Sequence, residues 1–78
     1  MNIKLNGTHH AVSNGASVTT LVSQITGRRL AANGQAADGQ KLGVAVARNS
    51  DVVPRSQWSV TALAEGDDVE LVTAVQGG

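Results

Sequence analysis

The chain has no cysteine, no phenylalanine and no tyrosine, and carries one proline and one tryptophan in 78 residues. Without cysteine there is no disulfide, no thiolate metal site and no cysteine nucleophile, so any sulfur chemistry must be brought by another molecule. The missing aromatics leave a core of Val, Ala, Leu and Ile with Trp58 as its one large plug. That supply suits a single sheet covered by a helix better than a thick sandwich. Six basic residues balance six acidic ones, and zero formal charge gives no long-range field for nucleic acid or an anionic membrane. The longest apolar run, Val44-Ala45-Val46-Ala47, falls far short of the roughly 20 residues of a spanning helix. No basic, apolar and small-residue series opens the chain as a secretory leader would. We expect a cytoplasmic protein with no membrane contact.

What is present reads as one globular domain. Asn2-Ile3-Lys4-Leu5 alternates polar and apolar, Asn6-Gly7 is a strong hairpin turn signal, and a returning strand follows over Thr8 to Val12. Ile3 and Leu5 should face inward. His9 and His10 are consecutive in a strand and point to opposite faces, so they cannot chelate one metal together, and no metal site is expected. Ser17 stands where an N-cap belongs, ahead of Val18, Leu21, Val22 and Ile25 at helical spacing, and Gly27 closes the pattern. A helix over about 18–26 is predicted, with one apolar stripe lying on a sheet.

Residues 28–41 carry two glycines, little periodicity and one large aliphatic, Leu30; they read as a mobile linker. Gly34 and Gly39 do not form a phosphate loop, because no Gly-Lys-Ser/Thr ending or following helix accompanies them. Gly43 to Arg48 is a near-continuous apolar strand, Asn49-Ser50-Asp51 turns the chain, and Val52-Val53 forms a short partner strand that Pro54 stops. Arg55-Ser56-Gln57-Trp58 suits a single helical turn, with Trp58 as a packing anchor. Glu65, Asp67, Asp68 and Glu70 cluster before the last strand, either as a solvated acidic rim or as a patch for a basic partner.

The last ten residues hold the chemistry. From Val69 a β-branched strand runs into Val75, Gln76, Gly77 and Gly78 with no charge after Glu70. Alternation places Val69, Leu71 and Thr73 toward the helix, and Val72 and Ala74 on the open face beside Ala45 and Ala47, a small-residue patch suited to docking a partner. Two glycines lack any Cβ, accept any φ, and let a chain terminus pass through a narrow channel. Extended, residues 75–78 reach roughly 13 Å beyond the domain. With nine glycines in the chain, a terminal pair arises by composition in about one chain in 75. Its place just past a terminal strand therefore carries the argument. Gly78 is the expected reactive group, a substrate for other enzymes, and no Ser-His-Asp, paired-carboxylate or metal constellation points to an independent catalyst.

The element order is that of a β-grasp, ubiquitin-like domain: α+β, a mixed sheet of four to five strands with one helix packed on one face. We expect residues 1–74 to form the domain and 75–78 a flexible tail. Two stretches are more specific. Gly43 to Ala47 followed by Val52-Val53-Pro54-Arg55-Ser56-Gln57-Trp58, and Glu65-Gly66-Asp67-Asp68 running through to Gly78, closely resemble the ThiS family, the sulfur carriers of thiamine thiazole synthesis. The likeness is strong over residues 43–78 and looser over 1–27; the linker is longer and more polar than the family leads one to expect.

That resemblance implies that the Gly78 carboxylate is adenylated by an E1-like adenylyltransferase using ATP and Mg²⁺. A sulfur-donor system, such as a cysteine desulfurase, then makes it a thiocarboxylate, and a thiazole synthase takes the sulfur. The residue chemistry agrees, since a carboxylate is a poor electrophile until joined to a good leaving group. Alternatives of the same mechanism are a carrier for molybdopterin or cysteine synthesis, or a protein modifier. From a different class comes a non-catalytic β-grasp binding module whose glycines are a frayed end.

Overall fold

In the computed structural model, which describes residues 1–39 and 43–73, strands β1 (Asn2–Leu5) and β2 (Thr8–Ala11) form the expected hairpin. Asn6 and Gly7 both take positive φ, 51° and 81°, the turn whose twist matches two antiparallel strands. Ile3 is buried and Leu5 half-buried against the core.

Helix α1 spans Val18–Thr26. The Ser17 hydroxyl accepts from the Thr20 amide at 3.2 Å while the Ser17 amide donates back to the Thr20 hydroxyl at 3.4 Å. This is a reciprocal capping box with threonine in the third helical position. Gly27, at φ 71°, donates its amide to the Ser23 carbonyl and closes the other end. Val18, Leu21 and Val22 are fully buried. At about 1.5–3 kcal/mol each they contribute roughly 5–9 kcal/mol, which outweighs the ~2 kcal/mol of propensity lost at Thr19, Thr20 and Thr26. Ile25 departs from the expected stripe. It is 41% exposed, because the core does not extend beneath the last helical turn.

Strand β3 (Val44–Arg48) turns through Asn49 and Ser50 into β4 (Asp51–Val52), and β5 is Asp68–Thr73. The short partner strand thus begins one residue earlier than expected. Asn49 and Ser50 alone make the turn, both at positive φ, 52° and 73°, so Asp51 already pairs with Arg48. Val53 still donates to the Val46 carbonyl before Pro54 ends the ladder. A 3-10 helix over Arg55–Val60 follows and packs on α1. It seats Trp58, 1% exposed, whose indole nitrogen donates to the Val53 carbonyl at 2.9 Å. The strands form one sheet in the order β2-β1-β5-β3-β4, with β1 and β5 parallel and every other pair antiparallel. This is the mixed β-grasp sheet, one face under the helix and the other open.

The described part of the linker is not the structureless segment expected. Leu30 bridges Ala36, the Ala31 amide donates to the Gln35 carbonyl, and the Ala37 amide donates to the Arg29 carbonyl. Asn33-Gly34 makes its turn, with the Asn33 side chain accepting from the Gln35 amide at 2.9 Å. This lobe is pinned to the domain. Ala36 enters the core, Arg28 pairs with Asp38 at 3.2 Å, and Ser59 donates to the Ala32 carbonyl at 3.0 Å. Gly34, at φ +83°, lies so close to Arg55 that a Cβ would overlap both its Cγ and its backbone oxygen.

Candidate functional site: the open face and the root of the tail

On the uncovered face Ala45 stands directly opposite Val72, and Ala47 opposite Glu70. Ala47 also faces Val52 across the other edge of β3. The three candidate interface residues of the described chain, Ala45, Ala47 and Val72, are thus brought together, with Val72 59% exposed. Val52, 76% exposed, extends the same patch and was missed; its signal was the alternation of β4 against β3. Single exposed aliphatics need no explanation; here four apolar positions lie next to one another across three strands. Glu70 borders it. Ala74, Val75, Gln76, Gly77 and Gly78 lie outside the described residues.

The acidic cluster divides on folding. Asp68 and Glu70 are exposed, and the Glu65 carboxylate accepts from the Asn2 amide at 3.1 and 3.2 Å. Asp67 is neither rim nor docking patch: it is buried at 6% exposure. Its carboxylate accepts from Arg48 Nε at 2.8 Å, from the Asn49 side-chain amide at 3.1 Å and from the Ala64 amide at 2.8 Å. Burial pushes the carboxyl up. The hydrogen bonds from Arg48, Ala64 and Asn49, with the Arg48 charge, outweigh that and hold it below the ordinary carboxylate value. This clamp ties the β3–β4 turn to the start of β5.

The other end of β5 is where the tail departs. Thr73 pairs with Val44, and it is exposed where an inward position was expected, although Val44 opposite it is buried; Val69 and Leu71 are buried as expected. Beside it, Arg55 Nη2 donates to the Val44 carbonyl at 2.7 Å while its guanidinium lies 5.0 Å from the Trp58 ring centroid. Arg55 and Trp58 thus hold the edge of β3 level with the last strand pair, a structural role consistent with their expected one. His9 and His10 project to opposite faces, His9 exposed and His10 half-buried beside Ile3.

A five-stranded β-grasp sheet, one covering helix, and a central strand leading toward two glycines define a small ubiquitin-like protein. The chain belongs to the ThiS family, whose model matches residues 3–78. It is similar to the crystal structure of the thiamine biosynthesis protein ThiS from Geobacter metallireducens, with 28% identity and a TM-score of 0.70, each chain covered over its full length. A solution structure of a thiamine biosynthesis protein from the same organism gives the same identity and TM-score, covering 100% of this chain and 88% of that one. The fold alone is shared with SAMP1 from Haloferax volcanii, at 23% identity and TM-score 0.55 over 99% and 97% of the two chains. No curated protein matches in sequence. Among the described residues no helix is long and apolar enough to cross a membrane.

Proposed function

We propose that this protein is the sulfur carrier of thiamine thiazole synthesis, a cytoplasmic co-substrate and not a catalyst. The observation that carries the reading is the family match, which continues past the last strand through Gly77-Gly78. The Gly78 carboxylate attacks the α-phosphate of ATP within an E1-like partner that holds Mg²⁺, and pyrophosphate leaves. A persulfide on a donor such as a cysteine desulfurase attacks the acyl adenylate and displaces AMP to give an acyl disulfide. A thiol reductant then cleaves its S–S bond, leaving the thiocarboxylate, which a thiazole synthase consumes. The domain contributes placement. β5 lies between β1 and β3 in the sheet, and β3 pairs with it as far as Thr73, so the residues after Thr73 follow a strand anchored in the middle of the sheet. The apolar patch of Ala45, Ala47, Val52 and Val72 docks the partner while Val75 to Gly78 enter its channel.

Intact-mass analysis after incubation with the cognate adenylating enzyme, MgATP and a sulfur donor tests this. An adenylate, followed by exchange of one oxygen for sulfur on Gly78, is expected. Its absence sinks the carrier reading and favours a binding module. Transfer to a molybdopterin or cysteine pathway enzyme, and not to a thiazole synthase, moves the protein to another pathway. Deleting Gly78 should abolish activation and leave the melting temperature unchanged, since a terminal residue beyond the last strand adds little buried surface.

A further inference from the structure

Along a strand, backbone N–H and C=O groups alternate between its two edges. In β5 the odd-numbered residues face β1. The Asp67 and Val69 carbonyls accept from the amides of Lys4 and Asn6 at 2.8 and 2.9 Å, while on the opposite edge the Asp68 carbonyl accepts from the Asn49 amide at 2.7 Å. β1, however, stops at Leu5, where the chain turns away. Leu71 is next on that edge, and it is served by a side chain. Asn6 Oδ1 accepts from the Leu71 amide at 2.9 Å and Asn6 Nδ2 donates to the Leu71 carbonyl at 3.1 Å. One amide group thus stands in for one more residue of β1.

The same alternation turns the N–H and C=O of Thr73 to that edge, where the described chain supplies neither strand nor side chain. Across the ribbon, β3 is sealed at the same level by Arg55 on the Val44 carbonyl. An open backbone edge is a template for another strand. Here it opens one residue pair before the tail, in line with β1 and beyond its turn. We infer that Thr73 is the docking point for an extended segment of the adenylating partner, which continues the β1 position along β5 and orients the tail at its root. Asn6 sets the register, because its amide occupies Leu71 and leaves Thr73 as the first pair a partner strand can make. The inference rests on the carrier reading for the identity of the partner.

Thr73→Pro separates this edge from the fold. The Thr73 N–H points away from β3, so proline removes only the outward donor, and its restriction of Val72 favours the extended conformation already present. The melting temperature should stay near that of the wild type. Affinity for the cognate adenylating enzyme with MgATP, by calorimetry, should fall about five- to tenfold, the loss of one backbone hydrogen bond. It is measured against Thr73→Ala, which keeps the N–H and carries whatever the side chain contributes. Amide exchange on the wild-type chain provides a readout free of any mutation: the Thr73 amide should become protected in the complex. Equal affinities of the two variants, or a Thr73 amide that exchanges as fast in the complex as alone, overturns the inference even where wild type is adenylated normally. Protection that rises with protein concentration without partner assigns the edge to a second copy and also overturns it. A wild type that is not adenylated at all removes the carrier reading and this inference with it.

Discussion

Replacing Asp67 by alanine removes the acceptor of three hydrogen bonds at once. The three donors do not lose equally. Arg48 is a third exposed and Asn49 exposed, so both can turn to water, and their share is discounted for solvent screening. The Ala64 amide is backbone and cannot follow. Leaving a part-buried donor unpaired costs about 1–3 kcal/mol, and breaking a fully buried ion pair about 3–5 kcal/mol. Between these limits, with half the pair wet, we expect a loss of about 2–3 kcal/mol. Urea denaturation followed by the fluorescence of the lone, buried Trp58 reads it directly. With a slope of about 1 kcal/mol per molar for so small a domain, the midpoint should fall by roughly 2–3 M.

The pH dependence gives the loss a signature. Because the folded carboxyl lies below its unfolded value, its contribution is complete above the ordinary carboxylate range and disappears as pH falls through the lowered folded value. The difference between wild type and Asp67→Ala should therefore be largest near neutrality and shrink in acid. A loss under about 0.5 kcal/mol, or a gap that widens in acid, would refute the clamp.

Other perturbations probe separate features. Ser50→Gly should stabilise by about 0.5–1 kcal/mol in the same assay, since the left-handed conformation of Ser50 is costly for a residue with a Cβ; a destabilised variant would contradict the turn. Gly34→Ala should cost about 2–4 kcal/mol, combining left-handed strain with overlap on Arg55, and a loss below about 1 kcal/mol would show that the lobe is not pinned there. Val72→Glu places a second carboxylate beside Glu70 on the open face. Stability should change by about 0.5 kcal/mol or less, while binding to the adenylating enzyme weakens at least about tenfold; unchanged binding would remove this face from the interface.

The fold was legible wherever a local signal and the hydrophobic period agreed. Asn6-Gly7 announced its hairpin, and Ser17 with Gly27 bracketed the helix. The same Asn-Gly signal at Asn33-Gly34 was lost, because only Leu30 and Ala36 flank it and no alternating apolar strands draw attention to the turn. Asp67 was indistinguishable from its acidic neighbours, since a partner supplied by Arg48, nineteen residues away in the chain, leaves no local trace. The Asn6 amide is similar: its turn conformation was readable, its hydrogen bonds to Leu71 were not. Alternation was enough to bring Ala45, Ala47 and Val72 to one face, whereas Val52 joins them only through the register of β4.

The pairing of β1 with β5 also bears on how this molecule is made. The middle of the sheet joins β1 to β5, Lys4 beside Asp68, so β1 has no parallel neighbour until residues 68 and 69 have been made. Contacts of such long sequence separation slow folding, and during that wait the hairpin edge is unprotected. Until β1 and β3 flank it, β5 has no partner for either backbone edge, so the orientation of the strand that precedes the glycines is a product of the completed fold.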